Sequence, residues 1–240
     1  MSEAATIIDI SRLVIGLVIL LFASYSDIKT RRASNLLWII MGGTGGILLV
    51  AQYFLVGFEN ILILIFVPIM IGFVYLLFQF RLIYGGADAK ALMALSILVP
   101  FFPTISNFPL FGKSYMPFPW VLLVNSLFMF LIIPISLFFY NVAHKNLKFP
   151  HAFLGYFSSI DKARTKFLWP LEIMDDGKKK LSLRPKNFDV EDEFKAFEKE
   201  GINEIWVTPK VPFMIPLLIG FIFSFVFGDI LTTIVQAIIV

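Results

Sequence analysis

The sequence predicts an α-helical polytopic membrane protein with six transmembrane helices, both termini outside and a small cytoplasmic α/β insert between helices five and six. Three observations carry this expectation. The 240-residue chain is 58% hydrophobic, with 28 Phe and a mean hydropathy of +0.85, whereas ordinary globular domains are about 45–50% apolar. Its apolar residues gather into runs of near-bilayer length. Its Lys and Arg residues gather in alternate loops.

A hydrocarbon core of about 30 Å calls for about 20 apolar residues per helix. The predicted spans are 7–26, 36–57, 60–80, 88–103, 119–141 and 211–236. The first, with its core at Leu13 to Phe22 before Ala23-Ser24, has the look of a secretory signal. Glu3 and Asp9 nevertheless precede a lone Arg12, and the positive cluster follows the run instead of leading it. That order fits a first membrane helix with its N-terminus outside. In helix two, Gly42 and Gly46 form a small-residue pair suited to close helix packing. Helix four is the shortest and opens on Asp88. In helix five, Asn125 is read as an interhelical hydrogen-bonding group.

The segment 142–209 is long enough for a small folded unit, dividing the chain into membrane helices at 1–141, an insert at 142–209 and a last helix within 210–240. Leu171 to Met174, a turn through Asp175-Asp176-Gly177-Lys178, and Leu181 to Leu183 read as a hairpin. A charged helix bracketed by Asp189 and Gly201 places Phe194 and Phe197 on one face. With few large apolar groups, such a unit is expected to lean on the membrane helices. Glu191, Asp192 and Glu193 form an acidic run whose ordinary reading is a solvated helix face.

Topology follows from the basic residues. Lys29, Arg31 and Arg32 follow helix one, Arg81 and Lys90 flank the turn after helix three, and thirteen Lys or Arg lie between 142 and 210. The opposite face has only Arg12 and Lys113. The positive-inside rule therefore puts loops one to two, three to four and five to six in the cytoplasm. The net charge of +3 then reflects membrane topology and gives no reason to expect a nucleic-acid partner. The chain has no Cys and two His, which excludes disulfides and cysteine zinc sites; no metal or other cofactor is expected.

This topology sorts the carboxylates. Glu3, Asp9, Glu59 and Asp229 fall at the external face, and eleven acids lie in 142–209. Only Asp27 and Asp88 stand at cytoplasmic ends of membrane helices. An ionisable side chain near membrane depth is costly and marks function by default, although an interfacial acid balancing Arg31 and Arg32, or an acid in a helix first turn, explains each one singly. Two carboxylates a few ångströms apart cannot both ionise cheaply, so they share a proton, one acting as base toward water and the other as acid toward a carbonyl. Gly85-Gly86-Ala87 leaves room for an extended polypeptide beside Asp88. No Gly-Lys-Ser or Gly-Lys-Thr follows, so a phosphate loop is excluded.

The stretch Asp27-Ile28-Lys29-Thr30-Arg31 with Asn35, the run Gly85-Gly86-Ala87-Asp88-Ala89-Lys90, and Glu204-Ile205-Trp206-Val207-Thr208-Pro209 before the last helix resemble the archaeal preflagellin (archaellin) peptidases of the type IV prepilin peptidase family, the GxGD membrane aspartic proteases. The resemblance covers essentially the whole chain. It implies that Asp27 and Asp88 are the catalytic pair, with Lys29, Arg31, Asn35, Gly85, Gly86, Ala87 and Lys90 around them as supporting or substrate-contacting residues. It also implies an aspartic leader peptidase in the cell membrane, cutting the short basic leader from archaellin or pilin-like precursors at the cytoplasmic face. Ala87 departs from the motif's second Gly and is tolerated if its φ is not positive. Ala33 replaces a more usual aliphatic residue. Bacterial members carry a cysteine zinc region and methylate the new N-terminus; this chain lacks both Cys and a comparable insert, so protease activity alone is expected. Two other readings compete: presenilin-like proteolysis within the bilayer, which wants deeper aspartates, and a proton-coupled transporter, which usually shows internal repeats not found here.

Overall fold

The computed structural model describes residues 3–30, 32–58, 60–83, 85–103, 105–111, 114, 116–166, 168–175, 177–182, 190–209 and 213–239. Two compact units divide the chain: Met1–Phe130 with Pro212–Val240, and Leu131–Val211.

The first unit is helical. α1 (Glu3–Thr30) and α2 (Asn35–Leu55) match the first two predicted spans, and α2 starts on Ser34, whose hydroxyl accepts from the Leu36 amide at 3.3 Å as an N-cap does. A 3₁₀ turn at Ile61–Ile65, capped by Asn60, leads into α3 (Phe66–Gln79). α4 (Gly86–Leu98) is the helix that departs most from expectation. It has 13 residues, about 20 Å of helix at 1.5 Å per residue, and so stops short of the predicted 88–103. Pro100 explains this, because the residue before a proline is driven out of the helical region; Val99 has φ −128° and ψ 73°. α5 (Phe118–Ala143) begins in this unit and ends in the other.

The expected last span is broken. α9 (Met214–Val226) and α10 (Ile230–Ile239) meet at 57°. Gly228 takes φ 96° there, a conformation open to glycine. The opened backbone is satisfied from both sides. Asn125 Nδ2 donates to the Gly228 carbonyl at 2.7 Å and to Ser224 Oγ at 2.8 Å, while its Oδ1 accepts from the Ile230 amide at 3.2 Å. Asp229 caps α10, accepting from the amides of Leu231 and Thr232 and from Ser114 Oγ at 2.6 Å. Asn125 is thus the interhelical group expected of it. By length and composition four helices can cross a membrane, or five with the bent pair counted as one span, among the described residues.

The core of this unit joins α1, α2, α3, α4, α5 and α9 through residues such as Leu20, Met41, Val74, Leu92, Leu95, Phe118 and Phe221. α4 lies deepest, with Ala91, Leu92, Leu95 and Leu98 buried. Its close approach to α2 runs over Gly45, not over the Gly42 and Gly46 pair. A methyl group on Gly45 would lie 2.6 Å from Leu98 Cα, whereas one on Gly46 would meet nothing within 4 Å. Gly45→Ala is therefore expected to destabilise the unit by about 1–3 kcal/mol through overpacking against backbone, and Gly46→Ala to leave it unchanged, as read by thermal unfolding in detergent. Equal midpoints for the two variants would contradict this packing.

The second unit holds a small three-stranded sheet in the order β1-β5-β2, with β1 (Tyr156–Ser159) and β2 (Trp169–Pro170) both antiparallel to the central β5 (Glu204–Thr208). The predicted hairpin is present as β3 (Glu172–Asp175) and β4 (Lys178–Leu181), with Gly177 at φ 71° in its turn. Asp176 and Leu183 lie outside the described residues. α6 (His151–Leu154), α7 (Ile160–Thr165) and α8 (Glu191–Lys199) complete the unit. α8 is the predicted charged helix; it buries Phe194 and Phe197 against Ile160, Ala163, Ile205 and Val207, while Asp189 lies outside the described residues. The acidic run helps to join two helices, because Arg164 of α7 bonds Glu191 at 2.8 Å and Glu198 at 2.6 Å. The hydrogen bond from Arg164 holds the Glu198 carboxyl below its ordinary range.

Candidate active site

α1 carries Asp27 in its last turn and α4 carries Asp88 in its first. Both side chains are half-buried. The fold brings Asp27 within electrostatic reach of Asp88. They come from helices whose facing ends are set by separate contacts: α4 is wedged between α2 and α3, and α1 packs on α2 and α9.

The local backbone explains how each is held. After Asp27 the chain leaves α1 and must turn into α2. Ser26 Oγ donates to the Arg32 carbonyl at 2.8 Å, and Thr30 Oγ1 donates to the same carbonyl at 3.2 Å. These hydroxyls close the turn around Asp27. Neither is singled out by the sequence, although Ser26 stands immediately before the aspartate and Thr30 three residues after it, inside the first motif.

Asp88 folds back toward Gly85. A Cβ built on Gly85 would run into the Asp88 carboxylate at Oδ2 and would stand 2.7 Å from its Cγ. Gly85 has φ −85° and ψ 112°, which any residue adopts, so its glycine is needed for space and not for backbone freedom. Gly86 begins α4, and a Cβ there would sit 3.6 Å from the Phe78 ring, an ordinary contact. Ala87 is partly buried against the helical core and lies inside α4, outside the positive-φ residues. The motif's departure at this position therefore costs the backbone nothing.

Asn35 and Lys90 are joined directly. Lys90 Nζ donates to Asn35 Oδ1 at 2.8 Å, tying the first residue of α2 to α4 two residues beyond Asp88. We expect Asn35→Ala and Lys90→Met each to slow turnover by up to about tenfold, and the double variant to be no slower than either. That pattern corresponds to a coupling of about 0.5–1.5 kcal/mol, typical of one hydrogen bond; fully additive losses in the cycle would mean that the two side chains act separately. Lys29 takes a different direction: its ammonium lies 5.7 Å from the Tyr25 ring centre and 3.5 Å from that hydroxyl, on its own helix. Arg31 lies outside the described residues. Gln79 donates to the Tyr75 hydroxyl at 2.6 Å along α3. Among the described residues, no group of three or more His, Asp and Glu side chains converges to hold a metal ion.

With this geometry in hand, comparison with known proteins adds two matches to family models and several relatives. The model described as the Type IV leader peptidase family matches residues 14–135, the stretch that contains both aspartates. The model described as Archaeal Peptidase A24 C-terminus Type II matches residues 147–230. A preflagellin peptidase of Methanococcus voltae is 30% identical over 231 residues, spanning 92% of this chain and 97% of the relative. One from Methanocaldococcus jannaschii is 28% identical over 229 residues, spanning 90% and 93%. One from Methanococcus maripaludis is 26% identical over 226 residues, spanning 90% and 94%.

Proposed function

The chain belongs to the type IV leader peptidase family, and from that premise we propose that it is a membrane aspartic endopeptidase removing the leader from archaellin or pilin-like precursors. The observation that carries the reading is that Asp27 and Asp88 stand at helix ends, each within reach of the other's charge. In the proposed reaction the two carboxylates act as a pair that shares one proton. The ionised one takes a proton from water as the water oxygen bonds to the scissile carbonyl carbon, and the protonated one gives its proton to the carbonyl oxygen. The tetrahedral intermediate then collapses, the C–N bond breaks, and the amine of the mature protein leaves with a proton. Lys90 and Asn35 fix the start of α4, and Gly85 leaves space for the Asp88 carboxylate.

The site faces the cytoplasm in this proposal, and six passages put it there. The basic loops beginning at Lys29, at Arg81 and after α5 fall on one side only if α4, short as it is, makes a passage together with the residues up to Pro103. Contacts beyond α4 support that count. The amides of Leu110 and Phe111, which follow it, donate to the carbonyls of Val226 and Phe227 at 2.9 and 3.1 Å, at the end of α9 away from the site. The other end of α9 meets α1 near Asp27, where Ser24 Oγ donates to the Met214 carbonyl at 3.2 Å.

The test is to incubate the full chain in membranes with an archaellin-type precursor and to identify the product by mass. A single cut between the basic leader and the hydrophobic segment is expected. Proton-coupled solute uptake with no cleavage would favour the transporter reading, and a cut inside the hydrophobic segment would favour presenilin-like proteolysis.

A further inference from the structure

The segment that follows α5 turns back along it. Lys145 adopts φ 58°, and the Asn146 amide donates to the Asn141 carbonyl at 2.9 Å, the six-residue closure that ends a helix by reversing the chain. The fully buried Asn141 amide then donates to the carbonyls of Ala152 at 2.9 Å and Gly155 at 2.7 Å, tying the returning segment to the last turns of the helix. Phe153 stacks on Phe138 of α5, with ring centres 4.4 Å apart, and Phe149 packs edge-on to Phe153 at 6.2 Å. Phe138 is five residues inside the end of α5, about 7.5 Å back along the helix axis.

The returning loop exposes its largest apolar groups. Phe149 is 83% and Leu147 63% exposed, and Phe139 of α5 is 65% exposed. Yet the loop is held firmly: Lys148 Nζ lies 2.5 Å from the buried Glu172 carboxylate, and the Ala152 amide donates to the Lys148 carbonyl at 2.9 Å. A rigid loop that presents Leu and Phe to water forgoes the stabilisation that burying those side chains would bring. Placed in the boundary layer of a bilayer, the same side chains are buried, and the exposed Lys145 is positioned to reach lipid phosphate.

We propose that Leu147 and Phe149 insert into the headgroup–acyl boundary of the leaflet at which α5 ends, making residues 144–153 an interfacial anchor whose partner is the lipid itself. The ring contacts from Phe149 through Phe153 to Phe138 join the loop to the apolar helix α5, and that link is what selects lipid as its occupant. The inference rests on α5 being a membrane span and not on the protease reading.

The chain has no Cys, so single cysteines can be placed at Leu147 and at Phe149, with Leu131 of α5 and Lys178 of β4 as membrane and aqueous references. Each full-length variant is spin-labelled in vesicles of phosphatidylcholine and phosphatidylglycerol, and relaxation by oxygen, which concentrates in lipid, is compared with relaxation by a water-soluble nickel chelate. Labels at 147 and 149 are expected to show an oxygen-to-nickel ratio several-fold above that at 178. A ratio equal to that at 178 overturns the anchor, and so does shielding from both reagents, which would mean that protein covers the loop. A water-exposed label at 131 removes α5 as a span and the anchor with it. Cleavage activity is a separate readout, and its loss leaves this result unaffected.

Discussion

Asp27→Asn and Asp88→Asn are each expected to lower precursor cleavage by about 10²–10⁴-fold, the range supplied by a positioned acid or base, with the protein still folded and in the membrane. Asparagine keeps the shape of the side chain but cannot take a proton from water or hold one for the carbonyl. In the proposed dyad the two carboxylates act through one shared proton, so their losses should not add: the double variant should be about as slow as the worse single one. The measurement is the initial rate of leader removal by the full chain in vesicles, with unfolding midpoints recorded in parallel. A normal rate from either single variant would sink the dyad mechanism. Cleavage at the normal rate in the double variant would point to another protease in the preparation.

Gly85→Ala is the second change with a large expected effect. The added methyl would occupy the place of the Asp88 carboxylate, and the group able to give way is that flexible side chain. The φ of −85° accepts alanine, so the helix and the fold should be retained while the carboxylate is displaced. A displacement near 1 Å at a reacting group costs about 10²-fold, and turnover is expected to fall by that order with the unfolding midpoint little changed. Gly86→Ala is the matched control. Its methyl would make only ordinary contact with Phe78 at 3.6 Å, and near-normal turnover is expected. Equal losses from the two would mean that both glycines clear a path for substrate, and the specific role of Gly85 in placing Asp88 would be wrong.

The site is legible from sequence to an uneven degree. Asp27 and Asp88 stand out because an acid at the end of an apolar run is a local anomaly, visible without any knowledge of neighbours. Asn35 and Lys90 come only through resemblance, since nothing in the spacing of residues 55 positions apart announces a hydrogen bond. Ser26 and Thr30 escape notice, as hydroxyls at a helix end usually serve the local backbone; here they close the turn beside Asp27. Lys29 belongs to the same motif, yet its side chain turns to Tyr25. In the second unit the hairpin and α8 are readable from turn residues and amphipathic spacing. The pairing of β5 with β1 and β2 is not, because β1 and β2 have four and two residues, too few for an alternating pattern.

By itself the sequence determined the membrane class, the places of the long helices and the exceptional position of two carboxylates. Those properties depend on hydropathy and charge summed along the chain, which are additive and local. The tertiary structure alone decided that Asp27 comes within electrostatic reach of Asp88, that α4 approaches α2 over Gly45, that Asp88 needs the space above Gly85, and that the last span breaks at Gly228. Each of these depends on helix rotation and register. At 3.6 residues per turn, one residue moves a side chain by about 100° around the axis, so Gly45 and Gly46 face different neighbours although they are adjacent in sequence. An apolar helix in lipid carries little amphipathic pattern to fix that rotation in advance; the partners packed against it do so instead.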